Sequence, residues 1–258
     1  MAQKSKQWAA IIMMIALFAM IAFVTNLCSP MATIVKNQFG ASELAGQIGN
    51  YANFIAYLVM GIPSGMLIAK LGYKKTALLA LIVGIVGIVF EYLSGVVGSY
   101  VIYLVGAFIS GLCMCMLNTV VNPLLNVLGG GGKTGNQLIQ IGGAANSAAA
   151  VAVYILMGAL IGEVTKSTGI SDATPALIIA GVIFVIAFVI LLFTKIEEPE
   201  QAKVELSLIT GALKFRQLSL GALAIFLYMS VEVGTPTYMI SYLQTPEVGL
   251  SAGVAGLI

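Results

Sequence analysis

The chain has 258 residues, of which 60% are hydrophobic and 9% are charged, and its mean hydropathy is +1.04. These values exclude an ordinary soluble domain and are typical of a protein that lies in a lipid bilayer. Twelve basic and ten acidic residues leave a formal net charge of +2, so the overall charge gives no indication of nucleic acid as a partner. Histidine is absent, which removes the usual general base and the commonest metal ligand and argues against an enzyme.

Several apolar runs are long enough to cross a bilayer as helices, which takes roughly 20 residues each. The first run follows two lysines as a signal peptide would, but it is too long and lacks a small-x-small cleavage site, so we expect an uncleaved helix. The sequence therefore predicts an all-α polytopic membrane protein. Its predicted segments are, in chain order, Trp8–Val35, Gln47–Ala69, Thr76–Leu93, Ser99–Val127, Asn136–Ile161, Pro175–Phe193 and Leu218–Leu243.

The basic residues predict how these segments are oriented. With the N-terminus in the cytoplasm, Lys36 and Lys166 fall outside the cell and the other basic residues fall inside. Cytoplasmic loops of membrane proteins carry such an excess of lysine and arginine. We therefore expect a multi-pass protein of the plasma (inner) membrane with a cytoplasmic N-terminus. The inner set is Lys4, Lys6, Lys70, Lys74, Lys75, Lys133, Lys195, Lys203, Lys214 and Arg216.

Four consecutive glycines, Gly129–Gly132, precede Lys133 and Thr134 between the fourth and fifth segments. Glycine-rich loops followed by a lysine cradle phosphates in nucleotide-binding proteins. Here the spacing fails, because the position five before Gly132 is Val127, and no strand is predicted ahead of the loop. We expect a flexible hinge at the membrane face rather than a nucleotide site.

Neutral polar side chains recur at helical spacing along four of the segments. The stripes are Asn26, Ser29 and Thr33; Asn50, Asn53 and Tyr57; Asn118 and Asn122; and Asn136, Gln140, Gly143 and Ser147, with Asn146 beside the last. Such side chains hydrogen-bond hydroxyl-rich, uncharged solutes, although they also hold membrane helices together. The predicted solute ligands are Asn26, Asn50, Asn118, Asn122, Gln140 and Asn146.

Two carboxylates lie within the apolar runs. Glu91 is near the outer end of the third segment, and we expect it to reach the interface by snorkelling. Glu232 is near the middle of the seventh segment, where Gly234 and Pro236 interrupt the helix just beyond it. An acid at membrane depth beside a helix break predicts a functional residue, either a solute ligand or a proton carrier.

The turn after the second segment reads "GMLIAKLGYKK" and resembles the loop motif of the major facilitator superfamily. The matching residues are Gly65, Lys70, Gly72, Lys74 and Lys75. The resemblance implies a gating loop between two halves of a transporter. Ala69 stands where the family usually has an aspartate, so the acid–base latch of the family does not carry over.

Three further blocks resemble the fucose/glucose-galactose branch of that superfamily. They are "NTVVNPLLNVLG" at Asn118–Gly129, "NS" at Asn146–Ser147 and "FLYMSVEVG" at Phe226–Gly234. The resemblance runs through the whole chain and implies sugar as the solute. It also implies two six-helix halves joined by a long cytoplasmic loop.

The chain departs from that branch at the positions that handle protons. There the helix-four block generally begins with a glutamate and helix one carries an aspartate, whereas this chain has Asn118 and Ser29. A glutamine that is frequent on helix five is Gly143 here, while Asn146 is kept. The resemblance therefore implies sugar chemistry without the proton coupling of the family.

The same resemblance divides the chain. Residues 1–194 are expected to form an N-terminal six-helix bundle, 195–217 a charged cytoplasmic linker, and 218–258 the seventh helix and the start of the eighth. We expect the sequence to be the N-terminal part of a longer twelve-helix transporter that lacks about five helices here.

The first hypothesis is therefore a secondary active or facilitative transporter of a neutral hydroxylated solute, with a monosaccharide preferred, that works by alternating access. One alternative is an exporter of amphipathic molecules, for which Met114, Met116, Tyr103 and Tyr154 would form the lining. The other is a membrane receptor or assembly subunit without transport. We expect no enzyme activity, cofactor, metal or nucleic acid; the expected partners are the lipid bilayer, the solute and, as a candidate, a coupling proton.

Overall fold

The computed structural model describes residues 7–40, 42–161, 168–196, 198–199, 211–212, 214–243, 245, 248–250 and 254. Throughout these residues the chain is helical apart from turns, and no strand is present. The helices are α1 (Trp8–Phe39), α2 (Glu43–Leu71), α3 (Tyr73–Val97), α4 (Tyr100–Leu128), α5 (Gly132–Ile161), α6 (Thr174–Phe193) and α7 (Arg216–Leu243), and a short 3-10 helix (Ile170–Ala173) leads into α6.

Helices α1 to α6 contain the stretches that are long and apolar enough to cross a membrane in the described part of the chain. They coincide with the first six predicted segments, and the seventh is helical as α7. The predicted segments start three or four residues late at α2, α3 and α5, which begin at Glu43, Tyr73 and Gly132, and they stop four residues early at α1 and α3. Lys4, Lys6, Lys166, Lys203, most of the predicted linker and most of the predicted start of an eighth helix lie outside the described residues.

Short turns join the first five helices, so neighbours along the chain run antiparallel. Gly40 and Gly98 end α1 and α3 in the left-handed conformation. The hydroxyl of Ser42 accepts a hydrogen bond of 3.2 Å from the backbone N–H of Ala45, which caps α2. A single residue, Gly72, separates α2 from α3.

The chain forms two compact units that divide between residues 201 and 202. In the first unit, α1 and α4 lie at the centre, because 56% of the most apolar stretch of each is buried, against 11% for α2 and α5. Helix α1 packs on α5, α4 and α2, and α3 packs between α4 and α6. The core contains Met14, Leu17, Leu81, Leu117, Leu124 and Phe184. The second unit contains α7, whose described apolar side chains are mostly exposed within that unit.

Glycine allows the helices around α4 to approach closely. A β-carbon at Gly106 would overlap the backbone and side chain of Glu91, and one at Gly87 would overlap Ser110. A β-carbon at Gly111 would overlap the backbone of Asn53 on α2. Small residues that bring backbones together are a common basis for helix association in membranes.

Candidate functional site

The seam between α2 and α4 holds a chain of polar contacts, formed by Tyr57, Ser64, Asn118 and Thr119, that we call the α2–α4 seam. Asn118 Nδ2 donates to the hydroxyl of Tyr57 at 3.0 Å, and the Ser64 and Thr119 hydroxyls are 2.9 Å apart. Tyr57 and Ser64 are seven residues apart on α2 and so share one face. Asn118, Thr119 and Tyr57 are half-buried, so polar groups at this seam remain within reach of a solute.

Proline adds acceptors to the same region. Asn122 Nδ2 donates to the carbonyl of Asn118 at 3.2 Å, one turn back along α4. Pro123 follows, and since proline has no N–H, the carbonyl of Thr119 receives no helical hydrogen bond from it. On α1, Pro30 leaves the carbonyl of Asn26 in the same situation.

The predicted ligands on α1 and α5 are fixed by bonds to backbone carbonyls. Asn26 Nδ2 donates to Ala22 O at 2.8 Å, and Asn146 Nδ2 donates across the helix interface to Phe18 O, also at 2.8 Å. Both side chains are half-buried. In each amide this bond uses one of the two N–H donors, which leaves the second N–H and the side-chain oxygen for a solute.

The structure brings only part of the predicted set together. Asn118 and Asn122 are in direct contact, and Tyr57 lies close to Thr25, the residue before Asn26. Asn146 reaches α1 at Phe18, eight residues before Asn26, while Gln140 lies six residues before Asn146. Since α1 and α5 run in the same direction, the distance along the bundle from Asn26 to Gln140 is roughly 20 Å. That is longer than one monosaccharide, so a compact site centres on the α2–α4 seam rather than on Gln140.

Two predicted polar positions of the first unit, Asn50 and Asn136, lie away from this site. Asn50 is 8% exposed, on the buried face of α2 with Asn53. Asn136 lies at the α4–α5 turn, where its Oδ1 accepts from Asn126 Nδ2 at 3.2 Å. Glu232 belongs to the second unit, where its side chain is exposed and hydrogen-bonds Tyr228. The side chain of Ser29 lies outside the described residues.

The acid of the third segment is not where the sequence predicts it. Glu91 is 7% exposed, and its Oε1 accepts a hydrogen bond of 2.9 Å from the Ser110 hydroxyl on α4. The prediction that it snorkels to the interface is therefore wrong. The reason is the close approach of Gly87 and Gly106, which seals the carboxyl group between the helices. Gly84, Gly87 and Glu91 share one helical face, and that spacing was the available signal of burial. We call these contacts of Glu91, Gly87, Gly106 and Ser110 the α3–α4 seam.

The loop motif after α2 is held by a residue that the sequence analysis did not single out. The Tyr73 and Lys74 backbone N–H groups donate to the two carboxylate oxygens of Glu198 at 2.7 and 3.0 Å. A carboxylate at a helix N-terminus satisfies free N–H groups and is favoured by the helix dipole. In this chain the acid at the turn is therefore Glu198, while the family position is Ala69.

Lys74 completes the same contact from the other side. Its Nζ donates to the carbonyls of Leu192 and Thr194 at 2.9 and 2.8 Å, at the C-terminal end of α6. Gly72, with φ of 88°, permits the tight turn that aims Lys74 there. Lys70 and Lys75 of the motif are exposed, and Gly65 is half-buried within α2.

The glycine run is a turn between two helices. Gly130, Gly131 and Gly132 have φ of 83°, 73° and 55°, a conformation that side chains with a β-carbon rarely adopt. The backbone N–H of Gly131 donates to Asn126 O at 2.9 Å, which ends α4. Because α4 rather than a strand precedes the run, it lacks the setting of a phosphate-binding loop. Hinge motion there remains a prediction.

Three of the four residues proposed to line an exporter's pathway are buried in the core, where a solute does not reach them. Met114, Met116 and Tyr103 are each at most 1% exposed and belong to the packed core. Tyr154 alone of this group is half-buried. A buried methionine fills the core and offers no surface to an amphipathic solute.

These helices match a known family. Residues 12–258 match the profile described as Major Facilitator Superfamily, which is nearly the entire chain. The chain belongs to the major facilitator superfamily. Members of this superfamily are transporters rather than enzymes, and the chain is a multi-pass membrane protein of that fold.

Curated relatives extend the comparison. The glucose/galactose transporter of Brucella abortus biovar 1 (strain 9-941) is 25% identical over 242 residues, which cover 91% of this chain and 58% of the relative. The L-fucose-proton symporter of Escherichia coli (strain K12) is 23% identical over 266 residues, which cover 93% of this chain and 60% of the relative. The chain thus spans about three fifths of the length of these superfamily members.

Solved structures agree on the fold. The crystal structure of the Escherichia coli fucose:proton symporter FucP aligns with a TM-score of 0.76 at 20% identity and covers 98% of this chain and 67% of FucP. A FucP structure in the outward conformation gives the same TM-score over 96% of this chain. The predicted all-α major facilitator fold and the resemblance to the fucose/glucose-galactose branch are therefore confirmed.

Proposed function

We propose that this protein transports a neutral hydroxylated solute, a monosaccharide, by alternating access. The observation that carries the proposal is the Asn118–Tyr57 hydrogen bond at the half-buried α2–α4 seam, with Asn122 one turn away. Relatives described as a glucose/galactose transporter and an L-fucose-proton symporter support the choice of solute.

The chemistry of the seam suits a sugar. Each asparagine combines a carbonyl acceptor with N–H donors, and Tyr57 adds a hydroxyl and a flat ring. A sugar ring offers donors and acceptors together with an apolar face, so neutral amides and one aromatic ring complement it. The described side chains of the seam carry no charge, which favours an uncharged solute over an ionic one.

The proposed ligands are Asn26, Asn118, Asn122 and Asn146 together with Tyr57. Asn50 and Gln140 would join only if the helices move during the cycle, because the first is buried and the second is distant. Glu232 would be the contribution of the second half of the transporter. The proposed orientation has the N-terminus and the loop motif with Lys74 in the cytoplasm, in a plasma (inner) membrane.

Counterflow of labelled hexoses tests the proposal. The chain, expressed with any sequence that continues its reading frame, is reconstituted into vesicles, and glucose, galactose and fucose are each tested against excess unlabelled sugar. We expect counterflow of at least one hexose. Asn118→Ala should raise the half-saturating concentration roughly tenfold, since one hydrogen bond in a protected site is worth about 1 to 1.5 kcal/mol.

Gln137→Ala is the matched control, because Gln137 is an exposed amide at the start of α5 outside the proposed site. It should leave the half-saturating concentration unchanged. Sugar binding without counterflow, in protein that is folded, would favour the receptor alternative. The proposal would be overturned if folded protein showed no binding and no counterflow for every hexose tested.

A further inference from the structure

Glu91 is a buried carboxylate of the first unit, and it is not one of the proposed sugar ligands. Among the described residues of α1 to α6, no other acidic side chain is buried. One hydrogen bond, from Ser110, reaches its Oε1, and the described part of the chain places no lysine or arginine against it. Burying an ionised carboxylate without a cation is costly, whereas the neutral acid with a hydrogen bond is tolerated.

The groups that face Glu91 come from several helices. Tyr103 on α4 and Cys28 on α1 are ionisable neighbours, and Tyr100 lies close to Tyr103. Helix α2 reaches this group through Cys28, because Asn53 Nδ2 donates to Cys28 Sγ at 3.5 Å. Helix α6 packs on α3 and has no ionisable side chain. Glu91 is therefore surrounded by neutral partners and lacks a fixed counter-charge.

Two of these partners are incompletely satisfied. Tyr103 and Asn53 are each only 1% exposed. In the described structure the hydroxyl of Tyr103 and the Oδ1 of Asn53 have no hydrogen-bond partner. Most buried polar atoms in folded proteins are paired, because an unpaired one costs about 1 to 3 kcal/mol. Together with Glu91 they form a buried polar cluster whose bonding is completed only by added water or by a change in packing.

This cluster is connected to the proposed sugar site. Asn53 and Tyr57 are one turn apart on the same face of α2, and Tyr57 is the hydroxyl that Asn118 contacts. A polar sequence thus leads from Glu91, past Cys28 and Asn53, to the α2–α4 seam. Movement of α2 or α4 that follows sugar binding would alter the surroundings of Glu91 directly.

We propose that Glu91 carries the coupled proton of this transporter. When the α3–α4 seam is closed, the carboxyl group holds a proton taken from water on one side of the membrane; when the seam opens to water on the other side, that O–H bond breaks and water accepts the proton. One proton crosses with each cycle, and no oxidant or reductant is needed. Asn118 and Ser29, at the positions where the family resemblance places acids, cannot ionise in this way.

The inference rests on the proposed transport function, so the test separates the two. Hexose counterflow requires no proton gradient, whereas accumulation against a sugar gradient does. In Glu91→Gln we expect counterflow within about twofold of the parent, because glutamine keeps the shape and the Ser110 contact. The accumulation ratio driven by an imposed proton gradient should fall to about one, the value of an uncoupled facilitator.

Each outcome is decisive. Glu91→Gln that accumulates sugar like the parent overturns the proposal, and so does a parent that shows counterflow but no proton-driven accumulation. If Glu232→Gln uncouples transport while Glu91→Gln does not, the carrier is Glu232. Absence of counterflow in the parent refutes the transport function itself. Tyr92→Phe, on the exposed face of α3 next to Glu91, is the matched control and should keep both activities.

A second measurement does not depend on transport. The C=O stretching band of a protonated carboxylic acid is recorded by infrared difference spectroscopy on the purified chain from about pH 5 to about pH 8. We expect a band that is absent from Glu91→Gln and shifted in Ser110→Ala, which removes the donor to Glu91. A folded parent chain without a protonated-acid band assignable to Glu91 across that range overturns the proposal.

Discussion

Helix α4 forms two seams that treat polar groups in opposite ways. At the α3–α4 seam, Gly87 and Gly106 bring the backbones together and enclose one carboxyl group with a single donor, Ser110. At the α2–α4 seam, Asn118 and Tyr57 pair through a hydrogen bond yet stay half-buried. The comparison teaches that polarity alone does not identify a solute site in a membrane bundle. A solute site is identified by whether a solute can reach the polar groups, and this accessibility depends on how closely the neighbouring backbones approach.

A substitution that forces the α3–α4 seam apart is expected to have the largest effect. In Gly106→Val the new side chain meets the backbone of Glu91 and the carbonyl of Gly87, so α3 must move away from α4. Overpacking of this kind costs about 1 to 3 kcal/mol or more, because backbone cannot give way as a flexible side chain can. The thermal unfolding midpoint of the purified chain should fall clearly.

Gly61→Ala is the corresponding control on α2. Nothing lies within 4 Å of a β-carbon there, so the free energy of unfolding should stay within about 1 kcal/mol of the parent value and change in the stabilising direction. If Gly106→Val were as stable as Gly61→Ala, the contrast between the two seams would be lost, because the α3–α4 seam would then be loose.

The next effect tests whether α3 is also held at its first turn. Glu198→Ala removes the carboxylate that accepts from the Tyr73 and Lys74 N–H groups, so the start of α3 and the segment after α6 lose their contact. Loss of such a cap costs about 1 kcal/mol. Limited proteolysis should cut the segment after Phe193 faster, while Glu198→Gln, which retains one acceptor oxygen, should be intermediate. Equal cleavage of all three proteins would show that the contact contributes nothing.

Hydropathy was sufficient to predict the helices because a bilayer permits few alternatives to a helix of about 20 apolar residues. The helix ends were less predictable, since α3 begins at Tyr73 through a contact with Glu198, 125 residues further along the chain. The polar stripes correctly showed which face of α2 is turned to other helices, but they did not distinguish the buried Asn50 from the half-buried Tyr57. That difference depends on the register of α2 against α4, which the pattern within one helix does not contain.

The same limit applies to Glu91. Its position near the end of the third segment favoured exposure, and only the glycines on its face argued for burial. Whether a carboxyl group meets a donor there depends on Ser110, 19 residues away on the neighbouring helix. The membrane helices therefore followed from local sequence and the major facilitator fold from the resemblance of the motifs, whereas the two functional seams required the packing of one helix against another.

The smallest expected change is also the one that separates a solute site from packing at the α2–α4 seam. Tyr57→Phe removes the hydroxyl that Asn118 contacts and keeps the ring. Hydrogen bonds between membrane helices average about 0.6 kcal/mol, so the unfolding midpoint should fall only slightly. If Asn118 is a sugar ligand held in position by Tyr57, the half-saturating hexose concentration should rise about threefold with little change in maximal counterflow. If the seam is packing alone, stability falls and the half-saturating concentration does not change. The exposed Tyr92→Phe should also leave the half-saturating concentration unchanged. A change in sugar affinity larger than the change in stability would show that the lost hydroxyl either contacts the sugar itself or orders the side chain that the sugar touches.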